Sequence, residues 1–225
     1  MSATTTYARI AGVGYVAIFA LALHANFSVL QAAPFSEGPE AVLAFAESNI
    51  AALRLAALEL LIVMAADVVV ALALYRVFRA EAPFLNGLSA LFRLVYTTAN
   101  ISAILHLASV MRWIEVDDPA LAAAMTNEAL RGYGHGFTLT LGFFGIHLLL
   151  LGWLMMSTRV LPFVIGALVL LAGCGYVFDA TGLLAFPDFR RGLGDAGAMI
   201  VILPALIGEG LLMLWLLFGP VGKRG

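Results

Sequence analysis

The chain has 225 residues, 63% of them hydrophobic and only 12% charged, with a mean hydropathy of +1.01. Soluble domains run nearer ~45–50% apolar and ~25% charged, so a soluble fold of this composition could not cover itself with polar surface, and the chain reads as an integral membrane protein. A net charge of −2 gives no support to nucleic-acid binding. The single cysteine, Cys174, excludes an intramolecular disulfide and any CxxC metal or redox motif; inside an apolar run it reads as a small core residue.

A hydrocarbon core about 30 Å thick needs roughly 20 apolar residues per helix. Six runs meet that length: Tyr7–Gln31, Ile50–Arg76, Ser89–Trp113, His135–Ser157, Leu161–Leu184 and Ala196–Gly219. The first begins like a secretory signal, with Arg9 before an apolar stretch. That stretch, Ile10–Leu30, exceeds the ~7–15 residues of a signal core, so it is read as an uncleaved helix. Pro39–Glu47 and Ala120–Arg131 read as short interfacial helices. The second is opened by an Asp118 N-cap and Pro119, and it places Leu121, Met125 and Ala129 on one side. Backbone polar groups in lipid must be satisfied within each span, which requires helices, and the runs are too uniformly apolar for barrel strands. Six spans use nearly all of residues 1–225, so the expectation is all-α: one domain, a polytopic membrane bundle of six transmembrane helices. Basic residues set its orientation. Arg9, Arg76, Arg79, Arg159, Lys223 and Arg224 fall on one side. Arg112, Arg131, Arg190 and Arg191 fall on the other, with most of the acids, Asp195 among them. Both termini are expected to be cytoplasmic.

A weak repeat appears within this frame. Ala11-Gly12-Val13-Gly14-Tyr15-Val16 recurs as Ala172-Gly173-Cys174-Gly175-Tyr176-Val177, and the helix after each copy carries one acid, Asp67 or Glu209, about ten residues before its end. The first and last helix pairs thus read as related hairpins, an arrangement found in transporters, where sites lie at repeat interfaces.

Several spans hold titratable groups, each costing roughly 2.5–3.5 kcal/mol to place in lipid on insertion scales. Such groups are expected to face the bundle interior and to pair. Asp67, Arg93, Asn100, His147 and Glu209 lie at mid-membrane or deeper. Arg93 is expected to pair with Asp67, with Glu209 as a second candidate. On span three, Arg93, Thr97 and Asn100 share one face and Ser102, His106 and Ser109 another, which predicts a helix in the middle of the bundle. A structural ion pair that fixes helix register is the plainer reading of the deep group; a proton relay or ligand anchor is the sharper one.

An outer layer contains His24, Glu59, His106 and Asp179, the two histidines each seven residues from the outer end of their span. Two imidazoles and two carboxylates suit a metal ion such as zinc or iron, a polar headgroup, or proton passage. No HExxH or paired-His spacing supports a metal. Haem held by His24 and His106 is a weaker reading still. No GxSxG, phosphate loop or Rossmann fingerprint occurs, and no span holds a lysine for a retinal Schiff base.

The segments Tyr7–Gly12, Asp67–Tyr75, Phe92–Tyr96 and Gly145–Gly152 together resemble an uncharacterised bacterial family of six-helix membrane proteins, a domain of unknown function. The resemblance covers nearly the whole chain. It implies the same architecture, a multi-pass place in the bacterial cytoplasmic (inner) membrane, and Asp67, Arg93 and His147 as parts of the family pattern; it implies no activity. The leading expectation is a bundle that handles a small ligand or protons through a polar cavity opening outward. The alternatives are an intramembrane metal-dependent hydrolase built on His24 and His106, and a non-catalytic accessory subunit. The bilayer is the certain partner. A small-molecule or lipid ligand, a second copy of the chain, or a larger membrane complex are the others considered.

Overall fold

In the computed structural model, which describes residues 3–80 and 82–220, the described residues form helices and no strands. They are α1 (Ala3–Leu23), α2 (Pro39–Ser48), α3 (Ile50–Val77), α4 (Pro83–Trp113), α5 (Pro119–Thr158), α6 (Phe163–Ala185) and α7 (Pro187–Phe218). Among the described residues, six helices are long and apolar enough to cross a bilayer. The chain is therefore a polytopic helical membrane protein.

The sequence marks most of the helix starts. Pro39, Pro83, Pro119 and Pro187 are each the first helical residue, where the fixed φ suits the helix and no N–H is missed. Asp118 caps α5, its Oδ1 accepting from the N–H groups of Ala120 (3.0 Å) and Leu121 (3.2 Å). Arg9 donates to the carbonyls of Leu216 and Gly219, so the start of α1 lies beside the end of α7. On the orientation expected above, Lys223 and Arg224 lie outside the described residues, as do the side chains of Arg190, Arg191 and Asp195.

Three local features differ from expectation. Ala120–Arg131 and His135–Ser157 are not two helices but parts of one, α5, with 40 residues and therefore about 60 Å long. Two glycines at their junction are contact points: a side chain at Gly132 would meet the His106 ring at 2.9 Å, and one at Gly136 would meet the Ala103 methyl at 3.0 Å. Second, α1 ends by widening into a π-helical turn, His24–Val29, before a short 3-10 turn at Leu30–Ala32. Third, α7 is kinked at Gly194, whose φ of 51° and ψ of −137° are not helical.

The chain divides into two compact units. The first comprises Met1–Val16, Ala66–Thr97 and Thr138–Gly225, which draws on parts of α1, α3, α4 and α5 together with α6 and α7. Its helices approach closely where side chains are absent. A Cβ on Gly173 would lie 2.7 Å from the Gly145 carbonyl oxygen, and one on Gly145 would lie 2.8 Å from that of Gly173. This small-residue seam between α5 and α6 is the usual way for membrane helices to gain packing without a hydrophobic driving force. The second unit comprises Ala17–Ala65 and Thr98–Phe137. It holds the π turn, α2 and the remaining parts of α1, α3, α4 and α5.

Candidate functional site: an arginine-centred polar cluster

In the first unit, every membrane helix contributes a polar side chain to one neighbourhood. Arg93 of α4 is its hub and is completely buried. Its Nε donates to Asp67 Oδ1 of α3 at 2.8 Å, and Nη2 donates to the same oxygen. Nη1 donates to the Tyr15 hydroxyl of α1 at 2.8 Å and faces His147 Nε2 of α5 at 3.2 Å. The guanidinium carbon also sits over two rings, Tyr15 at 4.9 Å and Phe144 at 5.1 Å. Arginine suits this place because its planar fork offers several fixed donors and stacks on aromatic faces; a lysine ammonium would not.

His147 is 1% exposed and its tautomer follows from its partners. Nε2 faces a guanidinium, which can only donate, so Nε2 must accept and the proton sits on Nδ1. Nδ1 lies 2.9 Å from the Ser89 carbonyl and 3.0 Å from its Oγ, and the Ser89 hydroxyl donates to the His147 carbonyl at 3.3 Å. The imidazole is thus clamped from both sides, and α5 is tied to α4.

The other half of the neighbourhood lies on α6 and α7. Tyr176 donates to Glu209 Oε1 at 3.2 Å, and Glu209 is buried, within reach of the charges on Arg93 and Asp67. Gly208 places it there: a side chain at this position would meet the Leu168 backbone at 2.9 Å, so α7 lies tight on α6. The Phe144 ring joins the halves, with centroids 4.9 Å from Tyr96, 5.6 Å from His147 and 5.6 Å from Tyr176. The Arg93–Asp67 pair expected from sequence is therefore present, and Asp67, Arg93, His147 and Glu209 share one unit. Thr97 spends its hydroxyl on the Arg93 carbonyl at 2.8 Å. Asn100 is fully buried but belongs to the second unit. Tyr15, Ser89, Phe144 and Tyr176 were not expected here. The two tyrosines carried a signal, since each is the Tyr of the repeated Gly-Tyr-Val.

In the outer layer His24 meets Glu59. His24, Glu59 and His106 lie in the second unit and Asp179 in the first. His24 Nδ1 contacts both Glu59 oxygens, at 2.9 and 2.8 Å, with the imidazole 46% exposed and the carboxylate 11%. Beside it in the π turn, Asn26 accepts from the Tyr133 hydroxyl at 2.8 Å. His106 is exposed and packs on Gly132; Asp179 is half-buried. Among the described residues no three His, Cys, Asp or Glu side chains gather as a metal site requires; equal depth along separate helices does not by itself make ligands converge. The second polar stripe of span three is corrected. Ser102 and His106 are exposed, and Ser102 and Ser109 donate to carbonyls of their own helix, those of Ala99 and His106. A serine that bonds back to its helix does not need the bundle interior. Cys174, expected in the core, is exposed. It lines a cavity of about 750 Å³ with Leu149, Val177, Phe178, Thr181, Phe186 and Phe189, which is almost wholly apolar.

An uncharacterized protein of Archaeoglobus fulgidus is 30% identical over 150 residues, covering 67% of this chain and 74% of that protein. No solved structure matches. Residues 10–219 match the model of a domain of unknown function, DUF4386, and the chain belongs to that family.

Proposed function

We propose that the protein handles protons in the cytoplasmic membrane, with the Arg93 cluster as the proton-binding site. The observation that carries this is a charge count. Among the described residues, Arg93 is the one cation acting on Glu209, while Asp67 adds a second carboxylate. The cluster is therefore short of one positive charge if both acids are ionised. An unpaired charge in a low-dielectric interior costs several kcal/mol, so such groups pair or take up a proton. A register pin would need only Asp67 and Arg93. The Glu209 carboxyl, bonded by Tyr176, has no part in such a pin.

Packing favours a proton over a larger ligand. Arg93, Asp67 and His147 are 0%, 1% and 1% exposed and are spent on one another rather than lining an outward cavity. A small molecule needs room beside these groups, whereas a proton needs none. Termini on the cytoplasmic side fit Arg9, Arg76, Arg79 and Arg159.

The test is infrared difference spectroscopy of purified protein in lipid across the neutral pH range. A protonated-carboxyl stretch, sensitive to deuterium exchange, is expected in the wild type and is lost in Glu209→Gln. A wild-type spectrum without that band, or a band that persists in the variant, would overturn the reading.

A further inference from the structure

The two copies of the repeat share part of their environment. Ala11 and Ala172 are both fully buried, Val13 and Cys174 both face outward, and Tyr15 and Tyr176 both turn into the cluster. Tyr15 and Asp67, the acid of the next membrane helix, both accept from Arg93, while Tyr176 donates directly to the acid of its next helix, Glu209. The cluster is thus two half-sites of one design: Tyr15 with Asp67, and Tyr176 with Glu209. Only the first holds a cation. Arg93 comes from α4, outside both copies, and its guanidinium rests on the Phe144 ring, which also touches Tyr176.

We propose that Arg93 exchanges between these two half-sites. In the second state the guanidinium pairs with Glu209 and Tyr176 while keeping the Phe144 face beneath it. The proton formerly on Glu209 then resides on Asp67. In both states the cluster holds one guanidinium, one carboxylate and one carboxylic acid, so charge and protons balance and neither state carries an unpaired ion. The groups facing the moving charge are Tyr15 on α1, Asp67 on α3, Ser89 and Tyr96 on α4, His147 on α5, Tyr176 on α6 and Glu209 on α7. Among these, the two acids can trade the proton while the arginine stays charged. Buried pairs resist continuous deformation, so two discrete arrangements of one ion are the expected form of such a switch. This rests on the proton-handling reading and gives that site two states.

Asp67→Asn tests it. With the first acid removed, Arg93 passes to Glu209, whose proton leaves to solvent, and the protonated-carboxyl band of the wild type is expected to vanish. An Asp67→Asn band equal to that of the wild type would overturn the exchange while leaving proton handling intact; a wild type with no band would sink the proton reading itself. Should Asp67→Asn fail to fold, Tyr15→Phe serves instead. It keeps both acids and removes one bond from the first half-site. With carbon-13 in the aspartate carboxyls, band intensity is expected to move several-fold from Glu209 to Asp67. An unchanged division between the two would refute the exchange.

Discussion

Replacing Arg93 with methionine keeps most of the side-chain volume and removes every donor. The change strands three groups at once. Asp67 loses both of its bonds to the guanidinium, and breaking a buried pair by deleting one partner costs about 3–5 kcal/mol. His147 Nε2 loses the donor at 3.2 Å, and an unsatisfied buried acceptor adds about 1–3 kcal/mol. Tyr15 loses a bond but keeps its own proton to donate, so its share is small. The sum is about 4–8 kcal/mol, against a total stability of about 5–15 kcal/mol for a typical domain. Arg93→Met is therefore expected to fold marginally. The assay is equilibrium unfolding in mixed micelles of a mild detergent and dodecyl sulfate, followed by circular dichroism. Arg54→Met, at an exposed position, is the control and should stay within about 0.5 kcal/mol of wild type. If Arg93→Met also stayed within about 1 kcal/mol, the cluster would not be held together by the guanidinium, and the reasoning built on it would fail.

Two further outcomes follow from geometry. Thr126 Oγ1 is buried with no hydrogen-bond partner among the described residues, so Thr126→Val removes an unmet polar group and is expected to be neutral or stabilising by up to about 1 kcal/mol; a clear loss in the same unfolding assay would reveal a hidden partner. Gly173→Leu would force α5 and α6 apart, since even a Cβ there lies 2.7 Å from the Gly145 oxygen. A loss of about 1–3 kcal/mol or more is expected, while Gly87→Ala, with nothing within 4 Å, should be neutral or slightly stabilising.

The membrane class and six apolar helices were legible because length and hydropathy alone decide them. The Arg93–Asp67 contact was legible for a related reason: two opposite charges in neighbouring spans have few other ways to avoid lipid. What escaped the sequence was lateral position. Depth places His24, His106 and Asp179 in one layer, but only helix rotation says which way each one points, and rotation is set by packing seams such as Gly145 against Gly173. Gly132 and Gly136 touch α4, which no local pattern reveals, and the two expected segments are one helix. The repeat pointed at Tyr15 and Tyr176 without saying what they do, because a tyrosine in an apolar span is equally at home at the lipid interface.

The outward-facing thiol of Cys174 supplies something the spectroscopist usually has to engineer. It is the sole sulfhydryl in the chain, lies two positions before Tyr176 on the same helix, and takes no part in the polar cluster. A nitroxide or fluorophore attached there would read the environment of α6 in the otherwise native protein. Reagents that dissolve in acyl chains should reach it, and membrane-impermeant charged ones should not.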